Sequence, residues 1–130
     1  MTQADKELLL KDLCARLPYG VICKDNYAKV EGKLVQIGIN YDMCLLSDDY
    51  GKTEFAYIPN CKPYLFPFSS MTEEQQSEYH NYCDVGLTEC GNELYYDCAE
   101  SFDWLNKNHF DYRGLIEKGL AIDATGKNIY

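Results

Sequence analysis

Between residues 19 and 59 the chain breaks into short apolar segments separated by turns of a few residues. That rhythm restricts the fold more than any other feature. Parallel strands need crossovers of a dozen or more residues, so strands joined this tightly pair antiparallel. Residues 19–23 read as a first strand and Asp25-Asn26 as a turn. Residues 29–39 alternate in part, with Val30, Leu34, Ile37 and Ile39 as inward candidates. Gly32 and Gly38 mark a turn, bulge or bend within them. Residues 41–46 read as another strand, and residues 47–52 are a strong turn signal. Residues 53–58 alternate again, with Phe55 and Tyr57 on one face. Four or five such strands predict a bent antiparallel meander or a small SH3-like barrel.

Helical spacing flanks this region. Leu9, Leu13 and Leu17 recur at i, i+4, i+8, with Leu10 and Cys14 beside them. Thr2 caps this first helix in a box with Asp5, and Pro18 and Gly20 end it. Pro63 and Pro67 favour an extended path after the strands. Tyr64, Leu65, Phe66 and Phe68 then form an apolar strap across the sheet. Ser70 with Glu73, or Thr72 with Gln75, opens a helix running to about residue 82 or 83. Glu73 and Glu74 suit its positive N-terminus. Residues 84–96 are ambiguous: Gly86 and Gly91 break helix, and residues 93–96 suit a short strand. A further helix is expected near 97–108. Asp111 caps a last short one that carries Leu115 and Ile116 and ends at Gly119. The fold class is therefore α+β in one domain, 1–130: helix to 18, antiparallel strands over 19–60, strap and helices over 61–130. At 130 residues such a domain has enough core to fold without staples.

Charge divides the chain. Residues 1–69 hold nine acidic and eight basic side chains, and residues 70–130 hold twelve and four. No Lys or Arg occurs from 63 to 106, so direct binding of nucleic acid by this half is disfavoured. Glu73, Glu74, Glu78 and Glu93 are the candidate acidic face. No stretch approaches the roughly 20 apolar residues of a membrane span. The polar opening predicts no secretory leader and a cytoplasmic protein. The seven cysteines are odd in number and lack CxxC spacing, and His80 and His109 are far apart. No zinc site and no disulfide framework is expected; most thiols are read as small buried hydrophobes.

Motifs for chemistry are sparse. No phosphate loop, dinucleotide motif, nucleophile elbow or zinc-protease motif is present, and no cofactor or catalytic residue is assigned. Asp97, Glu100 and Asp103 at i, i+3, i+6 near Trp104 suit a wet helical face better than an acid–base pair. Residues 109–113, His-Phe-Asp-Tyr-Arg, are the densest group of functional-looking side chains. Asp111 next to His109 can orient an imidazole, and Arg113 can bind an anion. A connection between helices, capped by Asp111, explains them with fewer assumptions. Because Trp, Tyr and Arg dominate protein-binding hot spots, Tyr64, Phe66, Phe68, Trp104, His109, Tyr112 and Arg113 are the candidate partner contacts.

The segment from Lys62-Pro63-Tyr64-Leu65-Phe66-Pro67-Phe68 to Glu74 resembles small uncharacterised proteins of gut Bacteroidetes bacteria, their prophages and phages. So do the stretch from Asp103-Trp104-Leu105-Asn106-Lys107 through Gly119 to the last residue and the opening from Leu8-Leu9-Leu10-Lys11 to Val21. The resemblance covers about half of the chain and carries no catalytic residues. It implies a non-enzymatic interaction module of a phage or mobile element, with a host or phage protein as partner. An acidic inhibitor that imitates nucleic acid is the alternative. An enzyme with an unfamiliar site near His109 or a reactive cysteine is the third reading.

Overall fold

Local signals place the helices of the computed structural model, which describes residues 1–130. Helix α1, Gln3–Arg16, starts at the Thr2–Asp5 capping box, with Asp5 N–H donating to Thr2 Oγ1 at 3.0 Å and Thr2 N–H to Asp5 at 3.2 Å. Such a cap contributes about 1 kcal/mol. Helix α2, Glu73–Tyr82, uses the Thr72–Gln75 box of the two that the sequence offers. Helix α3 spans Ala99–Lys107.

The strands are β1 Ile22–Asp25, β2 Val30–Gly38, β3 Met43–Ser47, β4 Thr53–Tyr57, β5 Cys61–Leu65 and β8 Ile122–Asp123, in spatial order β4-β3-β2-β1-β5-β8. A separate pair, β6 Asp84–Leu87 and β7 Glu93–Tyr96, forms a hairpin. The first five strands pair antiparallel as expected. Their turns are tied by side chains: Asp25 accepts the N–H groups of Tyr27 and Ala28, and Asp48 those of Tyr50 and Lys52.

The architecture is α+β, and several finer expectations are corrected. The sheet does not close into a barrel, because β4 and β8 lie at opposite edges. It is mixed, since β8 joins β5 in parallel after the long excursion through α2, the hairpin and α3. The first half of the strap is instead β5. Pro63 is tolerated there because it faces Cys23 of β1 while β8 pairs only with Tyr64 and Leu65. The bulge of β2 falls between Leu34 and Gln36 rather than at a glycine. Gly32 is needed for strand contact: a Cβ there would meet the Ser47 carbonyl oxygen at 2.4 Å. No helix forms after Asp111. Its two carboxylate oxygens accept the Leu115 and Ile116 N–H groups, but left-handed Gly114 and Gly119 leave room only for turns.

The core lies between α1 and one face of the sheet. Leu9 and Leu13 pack on a layer that includes Val21, Cys23, Leu34, Cys44, Leu46, Ala56 and Leu65. Only Cys23, Cys44 and Cys61 of the seven thiols are buried, which corrects the expectation for most of them; all seven are unpaired. Ile39 points outward, in a 3-10 turn beyond the end of β2. No helix is long and apolar enough to cross a membrane.

Candidate functional site

The residues singled out as partner contacts come together, but mostly inside the molecule. Trp104 and Phe110 stack at 5.6 Å and 8°, and Tyr79 lies against the same indole. With Leu105, Phe66, Met71 and Tyr112 they form a second core beneath α2 and α3. Tyr64, Trp104 and His109 are buried and offer no face to a partner. Phe66, Tyr112 and Arg113 are half-buried, and Phe68 alone is exposed. Large aromatic rings suit a core and a hot spot equally well, and sequence spacing does not separate the two.

His109 and Arg113 belong to a polar cluster built around α1. Arg16 and Asp12 are both fully buried and pair at 2.8 Å, an i, i+4 contact. Arg16 also donates to the Phe110 carbonyl at 2.7 Å. Arg113 approaches the other Asp12 oxygen at 3.4 Å, and both guanidinium groups lie over the Tyr112 ring. Arg113 therefore faces Asp12 in place of an external anion. Burial raises the Asp12 carboxyl above its ordinary value, and Arg16, then Arg113, offsets part of the rise.

His109 adopts a left-handed backbone (φ 63°) and stacks on Tyr130 at 3.6 Å. Asp111 does not orient the imidazole, because both carboxylate oxygens are taken by the turn above. Burial, then the nearby Arg16 charge, lowers His109 from 6.5 to about 4, so it is neutral near pH 7. The Tyr130 hydroxyl donates to the Tyr64 carbonyl at 2.8 Å and accepts the Ile22 N–H at 2.9 Å. Tyr130→Phe is expected to cost about 1–2 kcal/mol, because it leaves a donor and an acceptor without their partner. Thermal unfolding checks this; an unchanged midpoint would show that water replaces the hydroxyl.

The acidic residues form a different, outward site. All nine of them between 63 and 106 lie on α2, the hairpin, α3 or their junctions, and each is exposed. The only basic side chain of the unit is Lys107 at the end of α3, so α2, the hairpin and α3 carry −8 of the net charge of −9. Between α2 and α3 runs a cleft of about 380 Å³, lined by Glu78, Glu100 and Asp103 beside Tyr82 and Trp104, with Lys107 as its one basic residue. Glu78 accepts the Trp104 indole N–H at 3.1 Å, which fixes one carboxylate against an aromatic wall. The indole itself is covered by Tyr79 and Phe110, so the three carboxylates beside the exposed Tyr82 ring are what suit a Lys or Arg side chain, through ion pairing and contact with that ring.

The hairpin extends the surface. Thr88 Oγ1 accepts the Asn92 N–H, and Gly91 takes the left-handed turn position. Tyr95 stacks on His80 at 3.8 Å and 5°, tying one face of the hairpin to α2. Tyr96 covers Gly86, where a Cβ would meet its ring at 2.7 Å. Val85 and Leu87 on one face of the hairpin and Leu94 and Tyr96 on the other remain exposed.

No family model, curated protein or solved structure matches this chain. Its chemistry therefore rests on the residues themselves. The candidate acidic residues Glu73, Glu74, Glu78 and Glu93 do fall in the one unit, on α2 and β7. Sequence reasoning missed the cleft and the hairpin surface. Asp97, Glu100 and Asp103 were visible as a charged helix face, but the opposing Glu78 and Tyr82 come from α2. The Gly91 turn before the Leu94-Tyr95-Tyr96 run was the available signal for the hairpin.

Proposed function

We propose that the protein is a non-enzymatic, cytoplasmic interaction module of a phage or mobile element that binds a basic surface of a host or phage protein. The observation that carries this is the confinement of −8 of the net charge of −9 to one unit, which also exposes apolar hairpin side chains and a carboxylate-lined cleft beside Tyr82. Charge steers the encounter, and apolar and aromatic side chains supply contact area. The contact surface moves from the aromatic residues first considered to α2, the hairpin and α3. The unpaired thiols suit a reducing compartment.

The test uses the tagged full chain, the partner it captures from its host, and titration of the two purified proteins. Glu100→Lys with Asp103→Lys is expected to weaken binding at least about tenfold, the scale of one lost charge contact. Asp49→Lys with Glu54→Lys makes the same charge change beside the β3–β4 turn, at exposed residues outside the unit, and is expected to leave affinity nearly unchanged. Equal weakening by both pairs, or no reproducible partner, overturns the reading.

Nucleic-acid mimicry is the second reading, favoured by the unbroken run without Lys or Arg from 63 to 106. There the partner binds DNA, and the module competes with duplex for its groove. Neutralising Glu73, Glu74, Glu78 and Glu93 to Gln then abolishes competition; a ternary complex with DNA rejects mimicry.

A further inference from the structure

Two thiols stand at the two roots of the hairpin. Cys83 follows the last residue of α2 and precedes β6; Cys98 follows β7 and caps α3. The ladder ends with the pair Asp84 and Tyr96. The same antiparallel register brings Cys83 opposite Asp97, with Cys98 next in line. Side-chain contacts place the two thiols on common ground. Cys98 Sγ donates to the Tyr82 carbonyl at 3.0 Å, the residue directly before Cys83. Cys83 Sγ donates to the Tyr79 carbonyl at 3.4 Å, one turn earlier. Ser101 takes the Cys98 N–H at 2.7 Å and also lies within reach of the Cys83 thiol.

Both thiols are partly open to solvent. The other neighbouring pair, Cys44 and Cys61 with sulfurs 3.9 Å apart, is sealed in the core. Cys14 and Cys90 are exposed, on α1 and at the hairpin tip. The root pair is the one that combines shared neighbours, Tyr82 and Ser101, with access to a small disulfide.

We propose that Cys83 and Cys98 are a redox-modification site, forming a reversible disulfide across the base of the hairpin by exchange with a low-molecular-weight disulfide such as oxidised glutathione. Cys98, at the start of α3, gives its proton to solvent and attacks one sulfur of the small disulfide. A mixed disulfide forms and one glutathione leaves as thiolate. Cys83 gives its proton to solvent and attacks the Cys98 sulfur, releasing the second glutathione. Two protein thiols are oxidised to one disulfide, and one glutathione disulfide is reduced to two thiols. The crosslink ties the ends of α2 and α3 together and fixes the hairpin that projects between them. It stands whether or not the acidic face binds a partner.

The test treats the reduced full chain with oxidised glutathione, blocks remaining thiols, and reads intact mass and peptides. Trypsin is unsuitable, since no Lys or Arg lies between 63 and 106. Cleavage after glutamate separates the three candidates: Cys83 falls in 79–89, Cys90 in 90–93 and Cys98 in 94–100. The expected product has lost two hydrogens and contains peptide 79–89 joined to 94–100. Cys83→Ser and Cys98→Ser each abolish the link and leave a glutathione adduct on the remaining root thiol, whereas Cys90→Ser retains the link. Adducts without any 83–98 link, or a link made through Cys90, overturn the proposal.

Discussion

Asp12→Ala is expected to lower unfolding free energy by about 3–5 kcal/mol, because it strands charges that folding has removed from water. Arg16 keeps its guanidinium fully buried, and Arg113 loses the carboxylate it faces. The loss is that of an uncompensated ion, which exceeds the net worth of the intact pair. Asp12→Leu with Arg16→Met removes both buried charges and retains volume. That double variant is expected to recover most of the stability, with the half-exposed Arg113 turning to solvent. Urea denaturation of the three proteins decides it. A loss under about 1 kcal/mol in Asp12→Ala would mean that water already reaches the cluster.

Acid is expected to weaken the fold through His109 before most carboxylates titrate. Its folded value of about 4 lies below the ordinary 6.5. Above pH 6.5 the imidazole is neutral in both states and costs nothing. As pH falls below 6.5 the unfolded chain takes up the proton first, and native stability drops until the folded imidazole also protonates near pH 4. The total is about 3 kcal/mol, of which about 2 is spent by pH 5. Arg16 opposes the imidazolium, and Tyr130 covers it. His109→Asn tolerates the left-handed backbone and does not titrate. The comparison is therefore the difference in stability between pH 7 and pH 5 for each protein. Equal slopes would show that His109 is charged in the folded state or reaches water.

Local signals were legible in the sequence and long-range ones were not. Thr2 with Asp5 and Thr72 with Gln75 act over three residues, so the helix starts could be read directly. Short turns likewise fixed the antiparallel order of the first strands. Alternation in β4 was visible, but its sense was not. Ala56 faces the core, whereas Phe55 is 71% exposed and pairs with Leu45 on the outer face. Bulk would have suggested the reverse. Asp12 and Arg16 are an ordinary i, i+4 pair in sequence; their burial depends on Phe110, 94 residues beyond Arg16. β8 is two residues long and has no periodicity to detect. The cleft needs α2 and α3 side by side, which no spacing within either helix encodes.

Phe66 and Phe110 form a single parallel bridge. The Phe66 N–H donates to the His109 carbonyl, and the Asp111 N–H donates to the Phe66 carbonyl. Residues 67–109 thus leave and rejoin the body of the molecule at one clasp. The inner sides of α2 and α3 are held by the second core, but the outward hairpin between them can change length or sequence at small entropic cost to the framework. Its target preference can therefore drift while the six-stranded sheet stays the same, and recognition and scaffold are free to evolve at different rates.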